Sequence, residues 1–307
     1  MQIPSNGLSF EVDDYPAIVS GNAEDTTPIL LIMGLGMPRT AWPLPLIQAL
    51  NQGGRRVLRF DNRDAGLSSK LSAWGKPNVL VSSLKHMMGW PVSSAYQLDD
   101  MALDVIGLLD ALALPRAHIV GVSMGGMIGQ LLAADHTSRV ASFTCIMSSS
   151  GARGLPQPTA ATRMVLLSRP ASKAPQAIVD HYVKVLKVIG SQKYAPSDDE
   201  MRTRIRDNLA PYYFPLGTAR QLVAIVANGD RSSKLAHIKC PVQIIHGSAD
   251  PLIPVQAAHD LHKKIPGSAL EIIDAMAHDM PPALLGQLAS LILRNADRAK
   301  QLRSVAD

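Results

Sequence analysis

Cysteine is nearly absent from this 307-residue chain, which holds only Cys145 and Cys240. Two thiols cannot build a disulfide framework. Each lies in a strand-like apolar context, so free buried thiols and a cytoplasmic protein are expected. Aromatic residues make up 4% and charged residues 18%. Hydrophobic residues reach 47%, which excludes a disordered chain and predicts a large buried core. No uninterrupted apolar run approaches the ~18 residues that a membrane span needs. The first twenty residues show neither a basic nor an apolar stretch of the secretory kind. The net charge of +5 is modest and scattered along the chain, with no block of Lys and Arg. The cluster Lys184, Lys187 and Lys193 reads as a solvated helix face, so no nucleic-acid partner is expected. No pair of histidines stands at ligand spacing beside a carboxylate, and neither metal nor organic cofactor is expected.

What is there alternates. Residues 8–12 read as an edge strand, and 28–33 as a strand buried on both faces that runs into Gly34-Leu35-Gly36. A helix over 43–50 and a strand over 56–60 follow. The next turn, Asp61-Asn62-Arg63-Asp64-Ala65-Gly66-Leu67-Ser68-Ser69, is assigned a structural role, with Asp61 and Arg63 satisfying loop backbone. Residues 73–95 are irregular. A helix over 98–112, with Asp99 and Asp100 at its positive end, precedes strands over 116–122 and 140–147. From 152 to 235 the strand signal stops, and helical segments are separated by Pro170, Pro175, Pro196 and Pro215. Alternation then resumes with strands over 241–246 and 269–273 and helices over 255–264 and 282–303. The prediction is an α/β fold: a mostly parallel sheet with helices on both faces, a core domain over 1–151 and 236–307, and a helical cap over 152–235.

One stretch carries chemistry. The strand over 116–122 ends in Gly121-Val122-Ser123-Met124-Gly125-Gly126 and continues into a helix. A serine lifted off a strand by so sharp a turn needs neighbours without side chains, as Gly121 and Gly125 are. That is a nucleophile elbow rather than a flexible glycine loop. A serine hydroxyl is a poor nucleophile near neutral pH and needs a base, itself oriented by an acid. His278 follows the last strand, and Asp250 sits in the turn after the strand over 241–246. Both fall at the carboxyl edge of the sheet, where the elbow points. The expected order is Ser123, Asp250, His278, with Asp274 as the reserve acid and His246 as a strand-end residue. Met124 and Leu35 are the expected backbone donors of an oxyanion hole. Met33 to Met37 lacks the third glycine and the helix start of a nucleotide site.

The segments 30–36, 60–68, 121–126 and 246–250, together with His278, resemble the α/β-hydrolase superfamily over nearly the full chain. Within it the sequence is similar to bacterial capped serine hydrolases of the aclacinomycin-methylesterase-like type. The resemblance implies a hydrolase fold with a cap and a serine esterase activity. The superfamily often has His-Gly where this chain has Met33-Gly34, so no side-chain role is assigned there. The expected function is a carboxylesterase for small or medium apolar esters, working through an acyl-enzyme. Alternatives are lactone, amide or carbon–carbon hydrolysis, a perhydrolase, or a non-enzymatic small-molecule binding protein. Met87, Trp90, Tyr212, Tyr213 and Phe214 are the candidate pocket residues.

Overall fold

The computed structural model describes residues 1–18 and 27–304. The chain opens with β1 (Gln2–Ser5), β2 (Leu8–Tyr15) and β3 (Ile29–Ile32), followed by α1 (Leu44–Gln52) and β4 (Val57–Phe60). Next come α2 (Val79–Met87), α3 (Leu98–Ala111), β5 (Ala117–Val122), α4 (Met124–Asp135) and β6 (Val140–Ile146). Five helices intervene before the sheet resumes: α5 (Ala160–Leu167), α6 (Pro175–Ile189), α7 (Asp198–Asn208), α8 (Pro215–Asn228) and α9 (Ser232–Leu235). The chain then ends with β7 (Val242–Gly247), α10 (Gln256–Lys264), β8 (Ala269–Ile273) and α11 (Leu285–Ser304).

The eight strands form one sheet in the order β1-β2-β4-β3-β5-β6-β7-β8. The pairs β1–β2 and β2–β4 are antiparallel, and the others parallel. Every residue of β3, β4, β5, β6 and β7 is buried, as continuous apolar runs between two helical layers require. One face packs on α3, α4 and α10 through Val105, Ile128, Leu131 and Leu261. The other packs on α1 and α11 through Leu46, Leu50, Leu288 and Ile292. Among the described residues no helix is long and apolar enough to cross a membrane.

Three expectations need correction. The strand over 8–12 is not the sheet edge, because β1 pairs outside it. Pro175 and Pro215 do not merely separate helices but begin α6 and α8, where a missing N–H costs nothing. The stretch 73–95 is not irregular throughout, since it contains α2, whose start is capped by Asn78 accepting from Val81 N at 3.1 Å. The pattern of α2 hides it: its apolar residues point outward, and Ser82 alone is buried.

Candidate functional site

Ser123 sits between β5 and α4 with φ 54° and ψ −115°, a left-handed backbone that a non-glycine residue adopts only under constraint. The constraint is visible. Ser123 N donates to Ile146 O at 2.9 Å, and Ser148 Oγ donates to Ser123 O at 2.8 Å. A Cβ on Gly121 would strike the Gly125 carbonyl, and one on Gly125 would strike that of Ile32. The elbow therefore depends on both glycines.

His278, in the loop after β8, places Nε2 3.1 Å from Ser123 Oγ. Its Nδ1 lies 2.7 Å from Asp250 Oδ2. With Nδ1–H donating to the carboxylate, Nε2 is left to accept the serine proton. Asp250 follows β7 and serves the turn as well, its Oδ1 accepting from Leu252 N at 2.9 Å and Ile253 N at 2.8 Å. Burial opposes ionisation of Asp250. The His278 ring and the Ile253 N–H outweigh it and hold the carboxyl below the ordinary aspartate value. Asp274, the reserve acid, is 83% exposed and pairs with Lys193, so it is not brought to His278. Burial pushes the thiols of Cys145 and Cys240 up to about 12, which keeps both from competing as nucleophiles near neutral pH.

His246 is buried at the end of β7 and donates from Nε2 to Ile253 O at 2.8 Å. Burial lowers its pKa from the ordinary value of 6.5. The unfolded chain therefore takes up a proton at a higher pH than the fold does. The stability this residue contributes is complete above about pH 6.5 and lost as pH falls through the lowered value, by up to about 1.4 kcal/mol per pH unit. Urea unfolding of wild type and His246→Asn should accordingly converge as pH drops from about 7.5 to about 5.5. A constant gap would contradict a neutral buried imidazole.

The loop Gly34-Leu35-Gly36 leaves β3 beside the elbow, and a Cβ on Gly34 would lie 3.3 Å from Ser123 Cβ. Both ends of this loop are tied. Asn62 Nδ2 donates to Met33 O at 2.9 Å, and Gly36 N donates to Gln221 Oε1 at 2.7 Å. Gln221, fully buried on α8, also donates from Nε2 to Arg63 O at 2.7 Å. Gly36 has φ +67° with the Thr218 side chain against it, so only glycine fits. Met124 is the first residue of α4, and a helix leaves the N–H groups of its first turn without internal partners.

The remaining nominated residues are the five proposed for the pocket. Met87 and Trp90 are exposed. Tyr213 packs edge-on to Tyr182 of α6, with centroids 6.1 Å apart. Phe214 lies beneath Lys70 and Arg220, at 5.4 and 5.8 Å, and Tyr212 is half-buried. In the turn after β4, Asp61 does satisfy backbone, accepting from Arg39 N and Leu67 N. Arg63 does so only in part, donating to Asp100 O, and is chiefly a bidentate partner of Asp104 on α3, at 2.6 and 2.7 Å.

Sequence reasoning missed a clasp on the histidine loop. Ile189 O, at the end of α6, accepts from His278 N at 2.9 Å. Ser191 Oγ donates to Asp279 Oδ1 at 2.5 Å and accepts from Ala277 N at 2.8 Å. Ser191 N donates to the same carboxylate oxygen at 3.0 Å. Burial raises the Asp279 pKa. The one hint in sequence is a carboxylate directly after the histidine.

Comparison with known proteins bears on the fold and the family. Residues 27–281 match the model of the alpha/beta hydrolase fold family. The chain is 28% identical to a rhodomycin D methylesterase of Streptomyces sp. (strain C5), over 86% of this chain and 89% of the relative. It is 27% identical to 3-oxoadipate enol-lactonase 2 of Acinetobacter baylyi, over 88% and 85%. Among solved structures, the meta-cleavage product hydrolase of Pseudomonas fluorescens IP01 superposes with a TM-score of 0.74 at 18% identity, covering 97% of this chain and 98% of that one. An esterase from Exiguobacterium antarcticum superposes at 0.68 and 17%, covering 97% and 98%. Such low identities speak to the fold alone. The chain belongs to the α/β-hydrolase fold family.

Proposed function

We propose that this protein is a serine hydrolase that cleaves carboxylic esters through an acyl-enzyme. The observation that carries the reading is the continuous chain Ser123 Oγ, His278, Asp250, with links of 3.1 and 2.7 Å. Ser123 Oγ attacks the acyl carbon while its proton passes to His278 Nε2. Asp250 fixes the ring tautomer and stabilises the imidazolium. The backbone N–H groups of Leu35 and Met124 hold the developing oxyanion, each donor being worth about 2.7–4 kcal/mol. His278 then returns the proton to the leaving alcohol, and water repeats the cycle on the acyl group.

Residues 152–235 act as the cap, choosing the substrate from above a site that the sheet edge builds. The methylesterase likeness over most of both chains supports esters of small alcohols, and the enol-lactonase likeness keeps cyclic esters as a second substrate class. The test is a fluorophosphonate probe followed by peptide mass analysis. The adduct should form on Ser123 and vanish in Ser123→Ala. An intact protein that stays unlabelled, or a label elsewhere, overturns the reading. Turnover of an ester and lactone panel then ranks the two classes.

Gln221 is a positioning residue in this scheme, because it orients the loop that carries Leu35. Gln221→Leu should lower kcat by about tenfold to a hundredfold with little change in KM. Gln221→Glu, which still accepts from Gly36 N, should retain more of it. Equal kcat in both variants and wild type would remove Gln221 from the oxyanion scheme.

A further inference from the structure

Two stretches of this chain carry cations but no carboxylate. Between Asp64 and Asp99, and again between Asp135 and Asp180, the sequence contains no carboxylate. These stretches hold α2 and α5, which leave the carboxyl ends of β4 and β6 on the Ser123 side of the sheet. Arg39, Arg56, Arg59, Arg63, Arg139 and Arg220, in other parts of the chain, each meet a carboxylate. Among the described residues, Lys76, Lys85, Arg153, Arg163, Arg169 and Lys173 meet none.

The exposed apolar side chains share the same stretches. Of the fifteen large hydrophobic residues exposed among the described residues, ten fall within 74–90 and 164–167. On α2, Leu80, Leu84 and Met87 stand 73%, 57% and 82% exposed at helical spacing. A helix of a globular protein normally turns that stripe to the core. On α5, Met164 and Leu167 do the same, while Thr162 and Val165 are buried. The two stretches touch where the Arg153 guanidinium lies against Gly89, 3.4 Å from where a Cβ would stand. Two of the three tryptophans, Trp74 and Trp90, are exposed here, whereas Trp42 is buried.

We propose that this face docks on an anionic lipid surface. Apolar side chains entering the acyl boundary, with Lys and Arg stems reaching back to headgroup level and Trp between them, match the physics of such an interface. A second copy of the chain is a poor occupant, since stacking like faces opposes unpaired cations with no carboxylate to meet them. Docking would bring the Ser123 edge of the sheet towards lipid, yet it requires no turnover and stands or falls apart from the esterase reading.

The test is flotation of the full chain with vesicles of phosphatidylcholine alone or mixed with phosphatidylglycerol, at low and high salt. Binding is expected to phosphatidylglycerol vesicles, to weaken with salt, and to shift tryptophan emission to the blue. Lys85→Ser with Arg163→Ser should lower partitioning by about tenfold or more, and Leu80→Ser with Leu84→Ser likewise, with melting temperature and turnover of a water-soluble ester unchanged. Three results overturn the proposal. One is no binding to phosphatidylglycerol vesicles at low salt. Another is binding that neither pair of substitutions alters. The third is a dimer in solution that Leu80→Ser with Leu84→Ser dissolves.

Discussion

Replacing Ser123 or His278 by alanine is expected to lower kcat by about a millionfold, with the two changes together no worse than either alone. Non-additivity is the informative part, because a nucleophile without its base and a base without its nucleophile are equally idle. Asp250→Asn should cost about 10⁴ instead. The asparagine can still accept from Leu252 N and Ile253 N at one atom, so the turn survives. Its amide would face His278 Nδ1 as a donor, favouring the wrong tautomer. Asp250→Ala should lose the turn as well and melt earlier, since two backbone N–H groups lose their acceptor. Turnover on one soluble ester, read beside thermal melting, separates these cases. If Asp250→Asn kept near-wild-type turnover while Asp279→Asn lost it, the orienting acid would be Asp279, the half-buried carboxylate next to the histidine.

The parts of the site that are legible in the sequence are those written locally. A strand, two glycines and a serine define an elbow within six residues, and strand ends are easy to locate in apolar runs. The three residues so nominated meet within hydrogen-bond distance although Ser123 and His278 are 155 residues apart. Other features are written at long range in ordinary residue types. Gln221 reaches Gly36 across 185 residues, and Ser191 reaches Asp279 across 88. Nothing about a helical glutamine or a post-helix serine distinguishes either one. The α2 segment fails for a different reason. Its apolar residues have helical spacing, but a reader looking for a core-facing stripe finds valines, serines and a basic pair instead. Which cations go unpaired is equally hidden, because pairing depends on which carboxylates the fold brings near.

The second large effect is expected on stability, at a pair buried between α8 and the turn after β4. Arg220 donates from Nε and Nη2 to Asp64 at 2.7 and 2.8 Å, and from Nη1 to Gly75 O at 2.9 Å. Asp64 also accepts from Leu71 N at 2.8 Å and Tyr96 Oη at 2.9 Å. Both side chains are essentially inaccessible, at 1% and 0%. Burial opposes ionisation of Asp64, and Arg220, the Leu71 N–H and Tyr96 outweigh it, leaving its pKa below the ordinary value. Arg220→Met removes the counter-charge and leaves a buried carboxylate behind, which costs about 3–5 kcal/mol. Asp64 has φ +65°, a conformation asparagine tolerates, so Asp64→Asn is the appropriate second change. The double variant should recover at least about 1 kcal/mol relative to Arg220→Met alone, because the uncompensated charge is gone. The pH dependence has a definite sign. Without Arg220 the Asp64 pKa rises above its unfolded value, so the folded variant binds the extra proton and loses stability as pH climbs through the raised value. The gap between wild type and Arg220→Met, measured by urea unfolding, should therefore be smaller at about pH 5 than at about pH 8. A gap under about 1 kcal/mol that ignores pH would mean that water reaches Asp64 once the guanidinium is gone, and that α8 is held to the sheet by Gln221 and apolar packing instead.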